Sequence, residues 1–144
     1  MSMHELYQQL IMDHSRSSAY KGKAQPCTHS QHGHNPLCGD SLEITLCVQD
    51  GIIQQAKFSG EGCAISKASA SLMCEAIVGL SEEQAQDLFK QFHSQMMSEG
   101  QVDLGKLNAL SNVKAYPMRL KCATLSWHTM SAALNESTCK VTTE

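Results

Sequence analysis

Residues 42–58 have the sequence LEITLCVQDGIIQQAKF, and this stretch decides the fold. Apolar residues alternate with more polar ones through its first half, at Leu42, Ile44, Leu46 and Val48. Asp50-Gly51 then supplies a tight turn of the kind that joins two antiparallel strands. After the turn the period of two returns, at Ile52, Gln54, Ala56 and Phe58. The stretch therefore predicts an antiparallel β-hairpin.

On both sides of the hairpin, apolar residues recur at helical spacing. The predicted helices run from about Met3 to His14, Ile65 to Ile77, Ser81 to Gly100, Asp103 to Leu110 and Leu120 to Leu134. Ser81-Glu82-Glu83-Gln84 is a capping-box sequence that opens the third of them. Residues 15–37 have no usable periodicity, and we expect a mobile loop there that leads into an irregular edge strand. The pattern predicts a single α+β domain over residues 1–144, a small antiparallel sheet covered by helices, with a polar tail at about 136–144.

The charge balance limits the classes of partner. The chain has 144 residues, with 11 Lys and Arg against 14 Asp and Glu and a net charge of -3. Because the chain has no run of basic residues, we do not expect nucleic acid or anionic membranes as partners. A small solute or a protein is the expected partner. The sequence shows neither a membrane-spanning stretch nor a signal peptide, so we expect a cytoplasmic protein whose seven cysteines are thiols.

Three of the cysteines, Cys38, Cys63 and Cys122, fall at predicted junctions or helix starts beside Gly or Pro. Asp40 follows Cys38 across a glycine, and three thiolates with one carboxylate supply the four ligands of a tetrahedral zinc site. We expect the N-termini of two helices to stabilise the thiolates of Cys63 and Cys122. However, separations of 25 and 59 residues match no local zinc pattern, and dispersed cysteines are commonly small buried residues. The spacing alone leaves both interpretations open.

The remaining chemistry-bearing residues have simpler interpretations. Cys47 and Cys74 are expected to be buried thiols, and Cys27 and Cys139 to be incidental ones. His29, His32 and His34 are interpreted as exposed residues of the loop and not as metal ligands. Trp127 and Met130 stand at helical spacing and are predicted to lie in the core.

Four segments in order resemble a known family. They are LYQQLIMDH at 6–14, NPLCGD at 35–40, FSGEGCAISKASAS at 58–71 and RLKCATLSW at 119–127. They resemble the signatures of the IscU/NifU N-terminal superfamily, and specifically its SufU branch, over about Leu6 to Leu134. The resemblance implies an α+β fold and a role in iron–sulfur cluster assembly. It also implies a metal site formed by Cys38, Asp40, Cys63 and Cys122.

Residues around the last cysteine bear on the choice between two chemistries. IscU-type scaffolds have a His before that cysteine and a Leu-Pro-Pro-Val-Lys chaperone site upstream. Here Lys121 precedes Cys122, and residues 112–119 are NVKAYPMR. The segment at 81–110 resembles the SufU insertion, and Arg119 occupies the SufU arginine position. The resemblance therefore favours a zinc-dependent sulfur acceptor.

The SufU resemblance implies a mechanism and a partner. A PLP-dependent SufS-type cysteine desulfurase would present a His that replaces one zinc ligand, freeing Cys38 to accept persulfide sulfur for downstream iron–sulfur assembly proteins. Cys38 and Arg119 are then the expected catalytic residues. Two alternatives stay open: a scaffold that holds Fe²⁺ or a [2Fe–2S] cluster on the same ligands, and a structural zinc domain that acts as a binding module.

Overall fold

A computed structural model describes residues 2–36, 38–97, 103–113, 116–135 and 141–142. The helices are α1 (Met3–Arg16), α2 (Ala64–Ile77), α3 (Glu82–Met97) and α4 (Pro117–Leu134), with a 3₁₀ helix at Gly105–Val113. The strands are β1 (His29–Asn35), β2 (Asp40–Gln49), β3 (Ile52–Glu61) and β4 (Val141–Thr142). They form one sheet in the order β3-β2-β1-β4. β1, β2 and β3 pair antiparallel, which confirms the predicted α+β fold with a small antiparallel sheet.

The predicted hairpin is confirmed, with β2 and β3 joined by Asp50 and Gly51. Both turn residues have positive φ, 54° and 77°, as a two-residue hairpin turn of this hand requires. A β-bulge near the turn leaves Gln54 as an extra residue in β3, opposite no residue of β2. Because of the bulge, Ile53 is buried and Gln54 is exposed, so the alternation predicted through Ile52 and Gln54 is wrong at this end of the strand.

Residues before β1 are held on the sheet by hydrogen bonds to β2 and β3. The fully buried Ala24 donates its N–H to the Thr45 hydroxyl at 2.9 Å, and Gln25 donates its N–H to the Gln55 side chain at 3.1 Å. β1 pairs with β2 along all seven of its residues and has β4 on its other side. The prediction of an irregular edge strand is therefore wrong, since β1 is a regular inner strand.

The predicted polar tail contributes to the sheet. Val141 and Thr142 form β4, which pairs parallel to β1 beside Gly33 and His34. The rest of the predicted tail, residues 136–140 and 143–144, lies outside the described residues. Part of this segment is therefore the outer strand of the sheet, next to β1.

Helices α2 and α4 pack on each other, with α4 against β1 and β2 and α2 against β3. α4 lies so close to β1 that a Cβ on Gly33 would overlap the Thr129 hydroxyl. The predicted core residue Trp127 is confirmed as fully buried, with its ring stacked on Phe92 of α3 at 4.4 Å between centroids. Its indole N–H donates to the Ser69 hydroxyl of α2 at 3.2 Å. These contacts join three helices behind the sheet.

At the helix starts, one prediction is confirmed and one is wrong. The capping box predicted at Ser81 is confirmed, because Ser81 and Gln84 exchange reciprocal side-chain to backbone hydrogen bonds of 2.9 and 3.0 Å. The predicted short helix after Asp103 is a 3₁₀ helix, and the predicted stop at Gly100 lies outside the described residues. α4 begins at Pro117, which places Cys122 in the second turn of the helix. It does not lie in the first turn, where it was predicted.

In the described part of the chain, no helix combines the length and the apolar character that a membrane crossing needs.

A pair of histidines between α3 and α4 predicts a pH effect on stability. His128 has ring contacts of 5.2 Å with both Phe89 and His93, and burial, followed by the nearby His93, lowers the pKa of His128. Because the unfolded chain then binds a proton more readily, stability falls as the pH drops from about 6.5 toward the lowered pKa. We expect the unfolding free energy of His128→Gln, from urea titrations of metal-free protein, to fall less between neutral and mildly acidic pH than that of the wild type. Equal losses in both proteins would contradict this assignment.

Candidate metal centre

Three strands and two helices come together at one end of the sheet. β1 ends at Asn35, which pairs across the sheet with Asp40 at the start of β2. The turn between these strands carries Cys38. β3 ends just before Cys63, the N-cap of α2, and the second turn of α4 brings Cys122 to the same place. The hairpin and the two packed helices thus position every predicted ligand from a regular element or a short turn.

Three of the four predicted ligands form one cluster. The Cys38 and Cys122 sulfurs and a carboxylate oxygen of Asp40 all lie within 4.8 Å of one another. Tetrahedral zinc with Zn–S bonds of about 2.3 Å holds its sulfurs about 3.8 Å apart, so a small inward movement would suffice to bind one ion. Asp40 and Cys122 are fully buried, whereas Cys38 is half-buried.

Cys63 is connected to this cluster, although its sulfur is not one of the three clustered atoms. Its backbone N–H donates to Asp40 Oδ1 at 2.9 Å, and its sulfur accepts the N–H of Ser66 at 3.4 Å. Its thiol also lies near enough to Cys122 to raise the pKa of that residue. The expected position of Cys63 at a helix N-terminus is confirmed, and its sulfur takes one of the free amides there.

Cys122 is in a different electrostatic environment from the one expected. Burial raises the pKa of the Cys122 thiol, and the neighbouring Asp40, Cys38 and Cys63 raise it further. The expectation that a helix N-terminus stabilises the Cys122 thiolate is wrong, because Cys122 lies beyond the first turn of α4. Its sulfur instead accepts a hydrogen bond of 3.7 Å from the Nδ2 of the fully buried Asn35. A cation in the cluster would favour the thiolate.

The acidic member of the cluster also points to a cation. Asp40 is fully buried, and while its Oδ1 accepts the N–H of Cys63, its Oδ2 is buried without a hydrogen-bond partner among the described residues. Buried carboxylates in proteins are generally paired or bound to metal. Thiolates select zinc or iron over magnesium and calcium, so this donor set fits Zn²⁺ or Fe²⁺.

Sequence reasoning missed three residues around the expected ligands: Asn35, Gly62 and Ser66. A Cβ on Gly62 would come within 3.0 Å of Asp40 Oδ1 and 3.1 Å of Ser66 Oγ, so the absence of a side chain there makes room for the Asp40 carboxylate. Ser66 is fully buried, and its hydroxyl has no hydrogen-bond partner among the described residues. The motifs that resemble the family already contain all three, but spacing does not distinguish such supporting residues from their neighbours.

Arg119 lies outside the ligand cluster. It is exposed and lines a groove of about 560 Å³ with Tyr116 and Val113 on one side and Ala64 and Ile65 of α2 on the other. Among the described residues, the structure shows no hydrogen bond or ion pair between its side chain and the cluster. The groove nevertheless begins right beside Cys63, because Ala64 is the next residue.

The other cysteines and the histidines largely follow expectation. Cys47 and Cys74 are buried, as predicted, while Cys27 is exposed and Cys139 lies outside the described residues. Exposure is confirmed for His32, which faces Glu43 with 3.2 Å between the nearest nitrogen and oxygen. The predicted exposure is wrong for His29, whose side chain is only 12% exposed and lies 3.6 Å from the Glu82 carboxylate. His34 is half-buried.

Comparison with known proteins gives a consistent family match. The family described as "NifU-like N terminal domain" matches residues 6–142. An iron–sulfur cluster assembly scaffold protein IscU of Thermotoga maritima is 40% identical over 135 residues, 91% of this chain and 94% of the relative. A zinc-dependent sulfurtransferase SufU of Bacillus subtilis is 42% identical over 125 residues, 85% of this chain and 84% of the relative. The chain is therefore about equally similar to a relative named IscU and to one named SufU.

A solved structure has the same fold. The putative iron–sulfur cluster assembly scaffold protein for the SUF system from Fervidobacterium islandicum AW-1 superposes with a TM-score of 0.83 at 35% identity. The match covers 92% of this chain and 99% of that one, so the similarity extends over the whole architecture that positions the cluster.

Proposed function

Since the chain belongs to the NifU-like N-terminal domain family, we propose that it acts in iron–sulfur cluster assembly as a zinc-dependent sulfurtransferase of the SufU type. In this function it accepts persulfide sulfur on Cys38 from a PLP-dependent SufS-type cysteine desulfurase. It then passes the sulfur to downstream iron–sulfur assembly proteins. We place the reaction in the cytoplasm, because a reducing compartment keeps exposed and half-exposed thiols such as Cys27 and Cys38 free.

The observation that carries the proposal is the asymmetry of the cluster. Cys38 is half-buried on a turn and is followed by Gly39, whose φ is +72° and which has open space where a side chain would stand. Cys122 and Asp40 are fully buried on regular elements. One sulfur can therefore move toward a partner while the other ligands keep their places.

The proposed metal ligands are Cys38, Asp40, Cys63 and Cys122, and their donor atoms fit zinc. When bound, Zn²⁺ supplies the positive charge that keeps thiols deprotonated at neutral pH. For Cys122 this charge acts against burial and the neighbouring acidic groups, which raise its pKa. The protein supports the buried ligands with two hydrogen bonds, from Asn35 to Cys122 and from Cys63 N–H to Asp40.

The proposed sulfur transfer is a thiol–persulfide exchange that needs no added oxidant or reductant. The thiolate of Cys38 attacks the outer sulfur of the persulfide on the desulfurase cysteine. A new sulfur–sulfur bond forms to Cys38, the old one breaks, and the desulfurase cysteine leaves as a thiolate. The transferred sulfur keeps its proton or releases it to solvent, and the product is a persulfide on Cys38.

We assign Arg119 a role at the rim of the site. Its guanidinium is exposed in the groove beside Cys63, so it can pair with a carboxylate of the incoming desulfurase and orient the persulfide toward Cys38. The apolar groove residues Ile65 and Tyr116 would contact the same partner.

The alternative is an IscU-like scaffold that assembles a [2Fe–2S] cluster, or holds Fe²⁺, on the same four ligands. It is favoured by the IscU names among the relatives, one of them at 40% identity over 94% of its length. Against it stand Lys121, in place of the His of IscU-type scaffolds, and the additional helical segment that includes α3.

Metal content and mass distinguish the two functions. We expect protein purified without added iron to contain close to one equivalent of zinc. Incubated with a SufS-type desulfurase and cysteine, it should gain roughly 32 Da, the mass of one sulfur atom, and lose it on reduction. A protein that stays unmodified, but forms a stable coloured cluster on anaerobic reconstitution with iron and sulfide, would show that the scaffold function is correct instead.

A further inference from the structure

Ser66, the third residue of α2, has two polar groups at the edge of the cluster. Its backbone N–H is used, since it donates to the Cys63 sulfur at 3.4 Å. Its hydroxyl is fully buried and has no hydrogen-bond partner among the described residues. An unpaired buried hydroxyl is unfavourable, and most buried side-chain polar atoms in native proteins have a hydrogen-bond partner.

The carboxylate of Asp40 is an acceptor close to this hydroxyl. A Cβ at Gly62 would be 3.1 Å from Ser66 Oγ and 3.0 Å from Asp40 Oδ1. The hydroxyl and Asp40 Oδ1 therefore both border the position that a side chain at residue 62 would occupy. Because Gly62 places no side chain between them, we expect that a rotation of the serine side chain can bring its hydroxyl toward the carboxylate.

Each of the three proposed ligands other than Cys38 accepts one hydrogen bond. Cys122 accepts from Asn35, Cys63 accepts from the Ser66 N–H, and one oxygen of Asp40 accepts from the Cys63 N–H. A carboxylate held at one point can still rotate, and ligand carboxylates are normally fixed by a further hydrogen bond.

We propose that Ser66 is a positioning residue for Asp40: its hydroxyl donates to the Asp40 carboxylate in the metal-bound protein and fixes the orientation of that ligand. This rests on the metal site of the proposed function, although it does not depend on whether Cys38 or another group accepts sulfur. The hydroxyl pairs only when the site binds metal, so its removal affects metal binding and leaves the metal-free fold unharmed.

The test compares Ser66→Ala with Ser126→Ala. Ser126 is a matched control, because it too is a fully buried helical serine whose hydroxyl has no partner among the described residues. Zinc affinity is measured by competition with a chromophoric chelator, and stability by urea unfolding of the chelator-treated protein. We expect Ser66→Ala to bind zinc about ten times more weakly than the wild type, with metal-free stability equal or higher. Ser126→Ala should keep the wild-type affinity.

A spectroscopic measurement adds a second readout. Loaded with Co²⁺ in place of zinc, Ser66→Ala should show shifted visible absorption bands, because the Asp40 ligand changes orientation, and Ser126→Ala should not. Zinc affinity of Ser66→Ala within twofold of the wild type would overturn the proposal. So would a metal-free Ser66→Ala that unfolds more readily than the wild type, since the hydroxyl would then have a structural partner. Failure of the proposed function can be distinguished from failure of this inference, because in the first case the wild-type protein itself binds no zinc or accepts no sulfur.

Discussion

Cys38→Ser should accept no sulfur from the desulfurase, whereas the wild-type protein gains one atom. A serine hydroxyl stays protonated at neutral pH and forms no persulfide, so we expect at least a 100-fold loss of transfer. The substituted side chain is half-buried on a turn, so we expect the metal-free stability to change by less than about 1 kcal/mol. Intact-protein mass spectrometry after incubation with desulfurase and cysteine measures the transfer.

The control for this prediction is Cys27→Ser, the same substitution at an exposed thiol whose sulfur donates a hydrogen bond of 3.4 Å to the nearby His29 carbonyl. It should accept sulfur as the wild type does. Since Cys38 is also a proposed metal ligand, peptide mapping of the wild-type adduct gives an independent answer. A persulfide on any peptide other than the one that carries Cys38 would contradict the assignment.

The hairpin and the helices could be predicted because their signals are local. Alternation from Leu42 to Val48, the Asp50-Gly51 turn and the Ser81 capping box each act over a few residues, and all three are confirmed. The phase change at Gln54 could not be predicted, because a β-bulge depends on how two strands fit together.

The segment before β1 shows the same limit. Its polar composition predicts a loop, yet Ala24 is fully buried and donates its N–H to the hydroxyl of Thr45 in β2. β1 itself has no apolar alternation, because its buried face is formed by Gln31, Gly33 and Asn35. Gly33 makes room for α4 and Asn35 reaches Cys122, so their roles depend on residues about 90 positions away in the chain.

The proposed ligands are identified by motif and not by spacing, and their places in the fold explain why. Cys38, Cys63 and Cys122 come from a turn, a helix N-cap and the second turn of another helix, so no single periodicity relates them. Arg119 is also identified by motif. Its side chain is exposed in the groove outside the cluster, and its expected catalytic role stays a prediction.

Cys122→Ser should remove most of the metal binding, with at least a 100-fold loss of zinc affinity. Cys122 is fully buried within 4.8 Å of Cys38 and Asp40, and a neutral hydroxyl in its place supplies neither the charge nor the softness of a thiolate. Zinc at 100 times its dissociation constant should stabilise the wild type by about 2.7 kcal/mol, and this gain should disappear in the variant. Thermal unfolding with and without zinc measures the difference.

Cys74→Ala is the matched control, because Cys74 is an equally buried thiol in α2 whose pKa is likewise raised by burial. Its zinc-induced stabilisation should equal that of the wild type, even if the loss of packing lowers the stability of both forms. The comparison separates ligand loss from core damage, since core damage lowers the unfolding free energy with and without zinc by the same amount. A Cys122→Ser protein that zinc still stabilises fully would mean that the ion binds elsewhere, and the cluster of Cys38, Asp40 and Cys122 would not be the metal site.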